Sequence, residues 1–134
     1  MTEPILQLIE DRAIPDAVLL KKLDDKFNGR LPEEYQQFIL KTDGGILIGR
    51  QVRFLSLSER QPFGERIWEM NDESPDVPLL IIGHFCSATR EDNFGYKLDT
   101  LSRGSREIYS YDSESGEIWK ESDTLEEFIG KYSS

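Results

Sequence analysis

Leu19, Leu20, Leu23 and Phe27 recur at helical spacing. Asp16 precedes them as an N-cap, and Gly29 follows as a residue that tolerates the left-handed conformation of a helix end. The pattern predicts a helix over 16–28. A second helix is predicted over 32–42, with Pro32 at its first position, Glu33 and Glu34 facing the positive end of its dipole, and Tyr35, Phe38 and Ile39 forming the apolar stripe. Asp43, Gly44 and Gly45 stop it.

The period then changes. Val52 to Leu57 reads as a strand. Phe63, Ile67 and Met70 suggest a helical turn over 64–71, closed by Asn71 to Ser74 and by Pro75 and Pro78. Residues 79–86 are apolar on both alternating faces, as in a strand covered on both sides, and this is the expected central strand. Over 94–98, Phe94, Tyr96 and Leu98 alternate with Gly95, Lys97 and Asp99, which predicts one buried face and one wet face. Segments 107–112 and 117–121 flank Ser113-Glu114-Ser115-Gly116 as a hairpin. Thr124 and Glu127 match a capping box for a last helix over 124–132, with Leu125, Phe128, Ile129 and Tyr132 on its apolar face. The order of elements predicts an α+β domain of helices on one mainly antiparallel sheet, because the connections between the last strands are too short for parallel crossovers. One domain over 1–134 is expected, with no repeat and no linker-like stretch.

Composition adds little to the fold but narrows function. The net charge is -10, from 26 acidic and 16 basic side chains. Segments 65–92 and 110–134 each carry -5, while 46–64 and 93–109 are slightly basic. Such a balance repels phosphate backbones and anionic lipid and attracts a basic partner, so neither nucleic acid nor membrane is expected as a direct partner. The same charge also serves ordinary solubility. Met1 to Pro15 lacks the pattern of a secretion signal, and the single cysteine, Cys86, suits a reducing compartment, so a cytoplasmic location is expected.

The chemical inventory is thin. His84 and Cys86 lie two apart on one face of the expected central strand, spacing that suits two metal ligands or an imidazole-activated thiol. No second His or Cys completes a zinc set, and an apolar strand accommodates both as core residues. Asp24 with Asp25, Glu33 with Glu34, and Glu126 with Glu127 are adjacent on helices and so diverge, unlike a catalytic pair. No phosphate-binding glycine loop occurs. No catalytic residue, metal site or cofactor is expected. Trp68 and Trp119 read as core or interface anchors.

Leu31-Pro32-Glu33-Glu34-Tyr35, the apolar helix through Phe38, and the Asp43-Gly44-Gly45 stop together resemble the signature of the SUKH superfamily, the Smi/Knr-type domains, with Asp43 in place of the usual Asn. The strand containing Ile82-Gly83, the Phe94-Gly95-Tyr96 strand, the hairpin at Gly116 and the Thr124–Phe128 ending follow in the family's order, extending the resemblance over 14–132. It implies a non-catalytic α+β domain. For bacterial members it implies an immunity protein that binds a toxin, often a nuclease; for fungal members it implies a regulatory or scaffold module of the cell wall and signalling. A basic toxin domain is therefore the expected partner, with the protein itself a monomer or weak homodimer. The expected contacts are the acidic clusters Glu69, Asp72, Glu73 and Asp76 on one segment and Asp112, Glu114, Glu117, Glu121 and Asp123 on the other, with Trp119 as an aromatic anchor.

Overall fold

The computed structural model describes residues 6–7, 17–27, 29–42, 45–47, 52–55, 67–72, 76–85, 92–112 and 114–133. Among them are seven strands, β1 (Leu6–Gln7), β2 (Gly45–Leu47), β3 (Val52–Phe54), β4 (Leu79–Phe85), β5 (Asn93–Lys97), β6 (Ile108–Tyr111) and β7 (Ile118–Ser122). The helices are α1 (Ala17–Lys26), α2 (Glu33–Thr42), α3 (Ile67–Asp72), α4 (Leu98–Leu101) and α5 (Leu125–Ser133). The strands form one sheet in the order β1-β2-β3-β4-β5-β6-β7, each antiparallel to the next. The α+β class and the central position of β4 agree with the sequence pattern.

Apolar spacing places Leu20 and Leu23 of α1 and Tyr35 and Ile39 of α2 in the core. The corner between the two helices is held by Asp24. Its carbonyl accepts the Gly29 N–H at 2.9 Å and its carboxylate accepts the Leu31 N–H at 3.0 Å, with Gly29 at φ 72°. That backbone angle costs glycine little and other residues more. Ring contacts put α2 and α5 on one face of the sheet: Phe38 packs on Phe54 at 4.8 Å, Tyr35 on Tyr96 at 6.0 Å, and Phe128 of α5 on Phe94 at 4.5 Å between centroids. Phe85 and Tyr132 complete this cluster at 5.2 Å. Tilted and edge-on ring pairs of this kind each add about 0.5–1.5 kcal/mol beyond area burial.

Three elements escape the sequence pattern. β1 and β2 are two and three residues long, too short for a period to register. The third is α4. The 94–98 segment was expected to end on a buried Leu98, yet the strand stops at Lys97 and Leu98 opens a single helical turn with 38% of its surface exposed. Its N–H bonds to the Pro78 carbonyl at 3.0 Å, turning the chain away from the sheet, and Gly104 at φ 85° ends the turn. Gly95, expected on a wet face, is buried instead. A Cβ there would strike the Leu80 carbonyl of the neighbouring strand, so only glycine lets β4 and β5 approach this closely. The register shift between Ile81 and Gly83 lies at the same place, and a bulge of this kind bends and twists the sheet.

α3, Ile67–Asp72, covers the described part of the turn expected over 64–71 and runs one residue past it; residues 64–66 lie outside the described part, as do 56–57 of the expected 52–57 strand. Asn71, read from sequence as part of the polar exit, is inside α3. Its carboxamide accepts the Ile81 N–H at 2.8 Å and donates to the Ile81 carbonyl at 2.9 Å, supplying β4 with the bonds a neighbouring strand would make.

Candidate protein-binding surface

The β6–β7 hairpin is built as its sequence predicts. Gly116 has φ 76°, its N–H bonds to the Asp112 carbonyl at 2.8 Å, and the Asp112 N–H closes the turn on the Glu117 carbonyl at 2.9 Å. The Asp112 carboxylate turns back to accept the Glu114 N–H at 2.9 Å, and Ser115 Oγ accepts the Glu117 N–H at 3.2 Å. Short polar side chains thus satisfy the loop's own amides, leaving the Glu114 and Glu117 carboxylates exposed.

Residues directly opposite each other on neighbouring strands share a face of the sheet. Tyr111 pairs with Ile118, Asn93 with Tyr111, His84 with Asn93, and Arg53 with His84. This row of half-buried side chains occupies the face opposite α2 and α5. Ser110 and Trp119 pair on the α5 side. There Glu121, on the bulge between Ser122 and Lys120, has a side chain only 2% exposed. Its Oε2 accepts Ser110 Oγ at 2.6 Å and Trp119 Nε1 at 3.1 Å, and its Oε1 accepts Lys131 Nζ and Tyr132 Oη, each at 2.8 Å. The bond to Glu121 holds the Lys131 ammonium above its ordinary pKa. Glu121, expected on the partner surface, is therefore a buried acceptor joining β6, β7 and α5. Trp119 remains 38% exposed.

At the other end of β7, Lys120 pairs with Glu107 at 2.8 Å and with Asp123. Those bonds, Asp123 first, raise the Lys120 pKa, and the Lys120 bond lowers that of Glu107. Tyr109 donates to Glu107 at 3.1 Å, and its own hydroxyl is pushed up, first by burial and then by that carboxylate.

The two acidic segments do not converge. Tyr111 lies opposite Asn93 and Asn93 opposite His84, so the hairpin with Asp112, Glu114 and Glu117 stands at the end of the sheet where β4 finishes. Asp72 and Asp76 precede the start of β4, at the opposite end, where Ser122 also leads into Asp123. Asp72 is ion-paired with Lys26 at 3.2 Å, and Asp76 is exposed. Glu69 is in α3 but its side chain is not described, and Glu73 lies outside the described residues. So does Cys86; His84 is half-buried between Arg53 and Asn93 in the cross-strand row. Among the described residues, no group of three or more His, Cys, Asp and Glu is arranged to hold a metal ion.

The motif residues have structural roles. Leu31, Pro32 and Tyr35 are buried, Phe38 packs on Phe54, and Gly45 opens β2; Gly44 lies outside the described residues. Between Leu31 and Tyr35 sits a contact that sequence reading missed. The Glu34 carboxylate accepts the N–H groups of Leu125 at 2.7 Å and Glu126 at 3.2 Å, capping the start of α5 from 91 residues away. Thr124 Oγ1 accepts the Glu127 N–H at 3.1 Å as its capping box predicts, while the Glu127 carboxylate meets the Asp123 N–H at 3.3 Å instead of that of Thr124.

Over residues 18–129 the chain matches the SUKH_6 family model, described as SMI1-KNR4 cell-wall. The chain belongs to the SUKH superfamily. The match spans α1 to α5, so the SUKH domain includes both the Glu34 clamp and the hairpin. Neither the curated proteins nor the solved structures gave a significant match. No described helix is long and apolar enough to cross a membrane.

Proposed function

We propose that this SUKH domain is a non-catalytic immunity protein that acts in the cytoplasm by binding a basic toxin domain directly. The observation that carries the reading is the family match over 18–129. Two features support it. The net charge of -10 favours rapid encounter with a cationic protein. Trp119 and Tyr111 offer the aromatic surface that the centres of protein interfaces favour, with the Glu114 and Glu117 carboxylates placed to form a polar rim. Asp72, Asp76, Asp112, Glu114, Glu117, Trp119 and Asp123 are the proposed contacts that the described surface leaves open to solvent in whole or part.

Co-expression tests this. A toxin domain encoded beside the gene should arrest growth when expressed alone and fail to do so with this chain, and the two should co-purify as a stoichiometric complex. Arrest that persists alongside abundant folded SUKH domain, with no complex, removes the immunity reading. The second reading, a regulatory or scaffold module, is favoured by the family's cell-wall description. It predicts altered wall sensitivity on gene deletion in cells that express no toxin.

A further inference from the structure

The two acidic ends of the sheet differ in what already neutralises them. At the end near the start of β4, Asp72 is paired with Lys26, and both Asp123 and Glu107 are paired with Lys120. At the hairpin end the sequence from Glu107 through Trp119 contains no Lys or Arg. Among the described residues Glu114 and Glu117 enter no ion pair, and Asp112 is turned inward on the loop. Three uncompensated carboxylates on one tight turn repel one another, and an approaching cation relieves that repulsion.

Apolar surface adjoins them on both sides. Tyr111 and Ile118 form a half-exposed cross-strand pair on one face, and Trp119 is 38% exposed on the other. Trp and Tyr supply much of the affinity at protein interfaces. The indole is also already oriented, because Trp119 Nε1 is bonded to Glu121, which Ser110, Lys131 and Tyr132 hold in place. An anchor fixed before binding loses less entropy on complex formation.

We propose that the β6–β7 hairpin, residues 111–119, is the docking surface for a cationic protein that presents Lys or Arg side chains around an apolar pocket. Glu114 and Glu117 meet the cations, and Trp119 and the Tyr111–Ile118 pair grip the pocket's walls. A second copy of this chain is disfavoured as occupant because a two-fold contact would set carboxylate against carboxylate. The inference rests on the protein-binding reading and narrows it to one end of the sheet.

The test is an NMR titration of the isotope-labelled protein with a synthetic Lys/Arg-rich peptide containing one Leu, and with a control peptide in which Ser replaces each Lys and Arg. The cationic peptide should shift the amides of 111–119 and the Trp119 indole N–H, and the control should not. E114K/E117K, both substitutions in exposed loop positions, should weaken binding about tenfold at low salt, with the difference shrinking as salt screens the charges. D72K/D76K should stay within about twofold of the parent, because those positions lie outside the proposed contact. Shifts centred on 72–76, affinity unchanged in E114K/E117K, or no binding of the cationic peptide each overturn the proposal. Hairpin binding of the peptide together with failed growth rescue retains this surface and discards only the immunity reading.

Discussion

Glu121 shows how one side chain can be taken from the solvent by its neighbours. Acidic residues crowd the last quarter of the chain, and by spacing alone Glu121 resembles Glu117 and Asp123. Strand alternation sets it on the side of Trp119, under α5, where four donors meet it. Glu121→Ala removes the carboxylate that accepts from Ser110, Trp119, Lys131 and Tyr132 and should cost about 2 kcal/mol, measured by urea unfolding. Glu121→Gln keeps an acceptor but loses the negative charge that pairs with Lys131, and should cost about half as much. A change in Trp119 emission should accompany both, since the indole's partner is altered. Equal stability of the Ala variant and the parent would show that the network contributes nothing. No hydrophobic period marks such a residue, because what encloses it is a set of polar donors on β6, β7 and α5 that meet only in the folded chain. Gly95 was hidden for a related reason: its neighbours alternate as expected, but the constraint comes from the Leu80 carbonyl across the sheet.

At the scale of elements, the long helices were legible because each carries its own period and its own stops. The boundaries expected at 16–28 and 32–42 fall close to α1 and α2 for that reason. α4 was not legible, since four residues make barely one 3.6-residue turn, too few for an apolar period to recur. The start of α5 was legible only in part. Its local cap, Thr124, is in the sequence pattern, whereas the charge on its first two amides comes from α2. A carboxylate at a helix N-terminus satisfies unpaired N–H groups and opposes the helix dipole. Glu34→Ala should therefore destabilise by about 1–2 kcal/mol, with Glu34→Gln recovering part of the loss; thermal unfolding of the three proteins checks this. The β4–β5 junction is the other element-level constraint. Gly95→Ala forces a Cβ into the Leu80 carbonyl and should cost roughly 3 kcal/mol. Gly116→Ala, strained by its φ of 76° but meeting nothing in space, should cost about 1 kcal/mol. Comparable losses for the two would mean that the sheet yields at Gly95 more easily than its packing implies.

For the molecule as a whole, charge links stability to pH at the alkaline end. Lys131 has a raised pKa in the folded state, chiefly through its bond to Glu121. It thus contributes stability that is complete below the ordinary lysine value of 10.5 and is lost as pH rises through the folded value. Lys131→Met should flatten the fall in stability above about pH 10, seen as a smaller drop in Tm between neutral and alkaline buffer; an unchanged slope would assign the alkaline limb to other groups. The sheet order has a different consequence. Because every strand pairs with the one made just before it, the sheet can be laid down strand by strand as the polypeptide leaves the ribosome, without waiting for a distant partner. The exception is the closure across 91 residues from Glu34 to Leu125. Until α5 emerges, Phe54, Phe85 and Phe94 lack the Phe128 ring that joins them, and the nascent domain carries an open aromatic core. Helix α5 therefore acts as the lid of the fold, and a stalled chain in which it has not yet emerged is the species most exposed to chaperones and proteases.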